Sequence, residues 1–409
     1  MRPLMEDKNL KAPRLSSALL RKIFVSASIR RWNDQACPVE FVELDKQAHK
    51  MVIAYFLSRY EEHYKGVEID WEKLICFFCF EFFERMVLTD IKPPVFHKLQ
   101  KHHRNELADF VIEALREDLE PYGLLNALQE YLKNPPKCLE VDILRASHFY
   151  ASKWEFDIIY NFNPKMYGVE NIKSIIDTEV EQFYHLAGMS EIVLYQKSKE
   201  VIDMFGQLRF QKRWSQTPRV PETSVLGHTL VVAMSAYLLS LDLEVCKQMR
   251  INHFLCGLFH DLPEILTRDI ISPIKHNVKG LDEQIKEIER EAVQEKILAN
   301  VPANIVEDIE YFTQNEFSNR YKLTSSFAPI YLESGEELLK EYDKDEYDPV
   351  CGEFLKFCDH LSAFLEAKIS IDHGISSADL IQGSEGIYQK CSQKVMGGVD
   401  LGKIIRDFK

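Results

Sequence analysis

Glycine and proline are scarce in this sequence, 16 of each in 409 residues, and no stretch is low in complexity, as expected of a folded, helix-rich protein. Long apolar runs are missing as well. No segment of about 18 consecutive apolar residues occurs, and the opening stretch MRPLMEDKNLKAPRLSS lacks the apolar centre of a signal peptide, so neither a membrane span nor export is expected and the compartment is read as cytoplasmic. Positive charge is in deficit, with 50 Lys and Arg against 64 Asp and Glu, a formal net charge of −14. That balance disfavours a polynucleotide as partner, while a local basic pocket for one small phosphate remains compatible with it. Cysteine has no framework: the nine thiols are odd in number and scattered through apolar segments, as at Cys256 and Cys358, so they read as reduced core residues. The one CxxC, Cys76 and Cys79, has no second pair and reads as part of a helix core.

What is present is helical periodicity. Apolar residues recur at spacings of three and four in VDILRASHFYASKWEF, SVLGHTLVVAMSAYLLSL and LDEQIKEIEREAVQEKIL, and no alternating strand pattern competes. Prolines at 93–94, 135–136, 164, 218 and 273 cut the chain into helices of ordinary length. The expected class is all-α. A length of 409 residues exceeds one ordinary core and implies two units of about 200 residues.

The halves resemble each other. Arg31-Trp32 precedes His49 as Arg213-Trp214 precedes His228, with 17 and 14 residues from Trp to His. At an offset of 179, HKMVIAYFL faces HTLVVAMSA, Glu81 faces His260, Asp90 faces Asp269 and Pro94 faces Pro273. ASHFYA, containing Ser147, then resembles CDHLSA, containing Asp359, at an offset of 212, which leaves 33 extra residues in the second copy, between Lys275 and Tyr347. The expected organisation is two helical bundles in tandem, residues 1–190 being a degenerate copy and 191–409 a complete one. In the first copy His49 is kept, while Glu81-Phe82 replaces His-Asp and Ser147 replaces the last carboxylate. That copy is expected to be structural or regulatory, the alternative being a different site built from His49, Glu81 and His148.

The chemistry concentrates in the second copy. His228, His260, Asp261 and Asp359 sit in three separated apolar helical runs. Polar groups in such places need partners, and one shared divalent cation satisfies all four. Two imidazoles and two carboxylates suit Mn, Fe, Co, Ni or Zn better than Mg or Ca. With no further His and Asp set in view, one metal per chain is expected, and His253, His276 and His360 read as core or surface residues. Glu264 follows His260 by four residues and so projects from the same helical face, toward water held by the metal. Asp269 stands shortly before Ser272-Pro273, where that helix should end, so its carboxylate can face a pocket mouth.

The pattern H…HD…D resembles the HD-domain superfamily. A longer agreement, Arg213-Trp214, Arg219, Glu222, HTLVVAM from His228 and HDLPEILTRDIISPIK from His260, is similar to the HD-domain 5′-deoxynucleotidases over about residues 200–280 and again around Asp359. The resemblance implies a helical bundle and metal-dependent release of phosphate from a nucleoside 5′-monophosphate. It further implies that Glu264 and Asp269 are the catalytic carboxylates, that Arg213 contacts phosphate and that Trp214 lines the sugar pocket; Lys275 is a further candidate for the phosphate. A guanidinium matches phosphate oxygens bidentately. Gly227 departs from the family, which commonly carries Glu before the first ligand. The expected ligand is a small phosphorylated nucleotide and the expected activity a phosphomonoesterase. The alternative is a catalytically quiet nucleotide-binding regulator, and monomer and homodimer are both compatible with the duplication.

Overall fold

A computed structural model describes residues 10–89, 91, 93–267, 280–323 and 328–408. Asp269, Lys275 and His276, together with the repeat landmarks Asp90 and Pro273, lie outside the described residues. Helices dominate, as the periodicity predicts. The first half contains α1 (Ser17–Val25), β1 (Arg30–Arg31), β2 (Phe41–Val42), α2 (Glu43–Lys65), α3 (Trp71–Leu88), α4 (Pro93–Leu119), α5 (Leu125–Lys133), α6 (Leu139–Phe162), α7 (Val169–Glu181), α8 (Ala187–Leu194) and α9 (Gln196–Gln207). The second contains α10 (Val225–Asp242), α11 (Lys247–Phe259), α12 (Glu264–Thr267), α13 (Leu281–Lys296), α14 (Ala303–Thr313), β3 (Asn319–Tyr321), β4 (Ile330–Leu332), α15 (Gly335–Glu341), α16 (Gly352–Asp372), α17 (Ala378–Cys391) and α18 (Gly402–Arg406). The two antiparallel ribbons, β1 with β2 and β3 with β4, have strands of two or three residues, too short for a period-two pattern to be read in the sequence.

Two helices form the centre. α10 is apolar on every side and buried nearly throughout, the condition of a helix surrounded by protein. Its composition and length would also suit a membrane span, but 94% of that window is buried inside the molecule. α2 is equally buried yet carries Glu43, Asp45, Lys46, Gln47, His49 and Lys50 on its buried surface, so each must find a polar partner there. The two central helices meet where Ser224, the N-cap of α10, accepts the Gly227 amide and donates its hydroxyl to Asp45 at 2.6 Å. α11 and α16 flank α10, while α6 and α8 flank α2. The α11 N-terminus lies against the segment before α16, where Asp343 and Asp345 accept the Cys246 and Gln248 amides.

Among the described residues one apolar cluster takes in side chains from Leu15 to Phe408. Cys79 belongs to it, with Sγ 3.6 Å from Met234 Sδ, and all nine cysteines are free. The division expected at residues 190/191 falls inside α8, which with α9 packs on α2. The chain ends also meet: Lys11 pairs with Gly398 and Asp400 through backbone hydrogen bonds.

Candidate metal centre

Helix geometry delivers each ligand. Ser224 starts α10 so that His228 stands one turn inside it, wholly buried. α11 ends at Phe259, which puts His260 at its C-cap and Asp261 in the turn that follows. Asp359 lies mid-helix in α16 and faces α10. His228 Nε2 is 3.1 Å from Asp359 Oδ1 and 3.8 Å from Asp261 Oδ2, and His260 Nε2 is 3.3 Å from Asp261 Oδ1 and 3.9 Å from Asp359 Oδ1. Ligand atoms of His228, His260 and Asp359 all lie within 4.8 Å of one another. The four sequence candidates are therefore brought together.

The donor set fits a cation. His260 Nδ1 faces the Gly257 carbonyl at 2.9 Å; a carbonyl only accepts, so that nitrogen holds the proton and Nε2 presents a lone pair. His260 Nε2 and Asp261 Oδ2 are buried and have no hydrogen-bond partner among the described residues, a costly arrangement that a shared ion relieves. Electrostatics agree. Burial pushes the Asp359 carboxyl up, but the hydrogen bond and charge of His228, with His260 and Arg213, outweigh it and hold it far below the usual carboxylate range. For His228, burial and Arg213 push down, while Asp359 and Glu366 prevail and raise it to about 9. The pocket is thus built to hold positive charge.

Around this cluster the structure sorts the remaining candidates. Arg213 is mostly buried, with Nη1 3.7 Å from Asp261 Oδ2 and Nε 3.7 Å from Glu366 Oε2. Trp214 has φ of 55°, donates its indole N–H to Glu366 at 2.9 Å and packs its ring on Gly383 of α17. Its polar edge is therefore committed to protein. Arg219 braces the 213–223 loop, through Thr223 Oγ1 at 2.7 Å and the Arg213 carbonyl at 3.2 Å. Glu222 is exposed. Glu264 opens α12, and with His260 and Asp261 it forms one end of a cleft walled by Ile285 and Val293 of α13 and Thr313 of α14. Of the two expected catalytic carboxylates, Glu264 is thus at the site. Gly227 points away from the cleft: a Cβ there would stand 2.8 Å from Asp45 Oδ1 and 3.0 Å from Leu44 Cδ2. His253 is a core residue, bonded to Ser240 Oγ and the Cys351 amide, and His360 Nδ1 lies 3.7 Å from Cys391 Sγ.

Two residues escaped the sequence reading. Ser362 Oγ is 3.0 Å, and Glu366 Oε1 3.3 Å, from His228 Nδ1. They follow Asp359 by three and seven residues, the spacing of one helical face, and that spacing was the available signal.

The first half repeats part of this geometry in a register that differs from the offset of 179. Trp32 has φ of 56° and donates to Glu155 at 2.8 Å, as Trp214 does to Glu366. Counting 14 residues from each Trp pairs Lys46 with His228, and counting seven back from each Glu pairs His148 with Asp359. Lys46 Nζ donates to His148 Nδ1 at 2.5 Å. His49 instead lies 3.2 Å from Arg209 Nη2 and 3.2 Å from the Ile202 carbonyl, Ser147 Oγ donates to Ile143, and Glu81 accepts from Lys50 and Tyr131. His49, Glu81 and His148 thus have separate partners and do not assemble into a second site.

Comparison with known proteins gives a consistent picture. Residues 205–388 match the HD domain family. A 5′-deoxynucleotidase of Cronobacter sakazakii is 29% identical over 179 residues, 41% of this chain and 77% of that protein. One from Photobacterium profundum is 33% identical over 106 residues, 25% of this chain and 54% of that protein, and one from Yersinia pseudotuberculosis is 24% identical over 182 residues, 42% and 80% respectively. No solved structure matches the chain.

Proposed function

We propose that this protein, which carries an HD domain over residues 205–388 and resembles the 5′-deoxynucleotidases, is a metal-dependent phosphomonoesterase acting on a small nucleotide, a nucleoside 5′-monophosphate above all. The observation that carries the reading is the pair of buried acceptors, His260 Nε2 and Asp261 Oδ2, that have no hydrogen bond among the described residues and face His228 and Asp359. One divalent transition ion, Mn, Co, Ni, Fe or Zn, is the expected cofactor, held by His228, His260, Asp261 and Asp359. When bound it supplies Lewis-acid activation of water and of the phosphoryl group.

The chain's own residues do the rest. Arg213, beside Asp261, receives phosphate oxygens and fixes the phosphorus in position. Glu264 takes and returns the proton of the attacking water, sharing that duty with Asp269, and Lys275 adds positive charge toward the phosphate. The cleft between α13 and α14 receives the nucleoside. Trp214, its indole N–H tied to Glu366, offers the sugar only its ring. The cytoplasm, where nine free thiols stay reduced, is the compartment in which we place the reaction.

For residues 1–190 we propose a degenerate HD-like copy that holds no metal, in which the Lys46–His148 pair stands where the second copy has His228 and Asp359. The matching Trp32–Glu155 and Trp214–Glu366 hydrogen bonds support that duplication.

The test is phosphate release from a panel of ribo- and deoxyribonucleoside monophosphates by metal-stripped protein reloaded with Mn, Co, Ni, Zn or Mg, beside Asp261→Ala. Turnover lost in the variant supports the reading. Equal turnover in Asp261→Ala, or none in the loaded wild type, overturns it.

A further inference from the structure

Glu366 is completely buried, and four groups converge on it. Its carboxylate accepts from Trp214 Nε1 at 2.9 Å and Thr223 Oγ1 at 2.9 Å, approaches His228 Nδ1 at 3.3 Å and lies 3.7 Å from Arg213 Nε. Thr223 in turn accepts from Arg219 at 2.7 Å, so both ends of the 213–223 loop meet at this one side chain. An ionised carboxylate accepts and never donates. Its approach to Nδ1, beside Ser362 Oγ at 3.0 Å, holds a proton on that nitrogen, so a cation entering the cluster would displace only the proton of Nε2, the atom that faces Asp359 at 3.1 Å.

We infer that Glu366 is a positioning residue that acts through two partners: it fixes the tautomer and ring plane of His228 for metal binding, and it anchors Arg213 for phosphate. The inference rests on the metal reading of His228, His260 and Asp359. Carboxylates behind a ligating imidazole raise its basicity, and their loss ordinarily lowers metal affinity by about 10- to 100-fold.

The molecule contains its own control. Glu155 accepts from Trp32 Nε1 at 2.8 Å, Arg31 Nε at 2.8 Å and Arg209 Nη1 at 2.7 Å, so it does for the first half what Glu366 does for the loop of the second. Seven residues before it stands His148, bonded to Lys46, and no imidazole is engaged by it there. If Glu366 only locked a Trp and a loop in place, the two glutamates would be equivalent. The difference between them is His228.

Metal-stripped full-length protein, as wild type, Glu366→Gln, Glu366→Asp and Glu155→Gln, would be titrated with Co²⁺ under equilibrium dialysis, with the visible absorption of the bound ion recorded alongside. Wild type is expected to take one Co²⁺ per chain. Glu366→Gln should bind it about 10- to 100-fold more weakly with an altered absorption band, and at saturating metal should show a raised KM for a nucleoside monophosphate. Glu366→Asp, whose charge is withdrawn by one methylene, should lie between, and Glu155→Gln should bind as wild type. Co²⁺ affinity in Glu366→Gln within twofold of wild type overturns the inference, as does an equal loss in Glu155→Gln. Should Glu366→Gln not fold, Glu366→Asp carries the same comparison, and wild-type affinity there overturns it. A wild type that takes up no Co²⁺ instead overturns the metal reading on which this rests.

Discussion

Gly257 of α11 lies so close to Ala233 of α10 that a Cβ on it would stand 2.8 Å from the Ala233 Cα and 2.9 Å from its nitrogen. This contact sets the separation of the helices that carry His228 and His260, whose rings have centroids 5.7 Å apart. The clash is with backbone, which cannot step aside as a side chain can. Gly257→Ala is accordingly expected to cost about 1–3 kcal/mol and to weaken metal uptake by spreading the ligands. Thermal melting of the stripped protein, followed by a Co²⁺ titration, reads the two effects separately.

Gly227, where the resemblance read from the sequence expects Glu, stands against Asp45 of α2. Restoring Glu should not improve catalysis. It forces a carboxylate against Asp45 and separates the two central helices, so Gly227→Glu is expected to lose its cooperative unfolding transition, and Gly227→Ala to lose about 1–3 kcal/mol. Urea denaturation followed by circular dichroism checks both.

His253 brings a pH dependence. Burial, with Arg320 nearby, pushes its imidazole down to about 3 from the ordinary 6.5, and the Cys351 amide donates to its Nε2 at 3.0 Å, which requires the neutral ring. Between pH 6.5 and 3 the unfolded chain binds this proton and the folded one does not. The contribution of His253 is thus whole above pH 6.5 and drains away as pH falls toward 3, at up to about 1.4 kcal/mol per pH unit. His253→Asn should flatten that limb of a stability–pH curve by one proton; an unchanged slope refutes the assignment.

Arg213 contributes a planar fork that Lys lacks. With metal saturating, Arg213→Lys is expected to raise KM for a nucleoside monophosphate by about tenfold, and Arg213→Ala by more, an affinity term worth about 1.4 kcal/mol per decade. Steady-state kinetics beside a Co²⁺ titration separate a phosphate contact from an effect on metal loading, which should stay near wild type in the Lys variant.

The helices, and the three patches that carry His228, His260-Asp261 and Asp359, were legible in the sequence because each is a local property: apolar spacing makes the helix, and a His or Asp inside an apolar run must find a partner. Which side chains face one another across helices is not local. The offset of 179 faces apolar residues of α2 and α10, while Trp32 and Trp214, each with positive φ and a Glu partner, stand 182 apart; three residues is nearly one helical turn, so apolar stripes coincide in both registers and only the tertiary contacts tell Lys46 from His49. The same holds for Glu366, reduced in the sequence to one more acid in an amphipathic helix. It was packing that turned it toward His228 and Trp214, and packing that turned Gly227 toward α2, because the direction of a side chain around a helix acquires meaning only once a neighbouring helix is there to meet it.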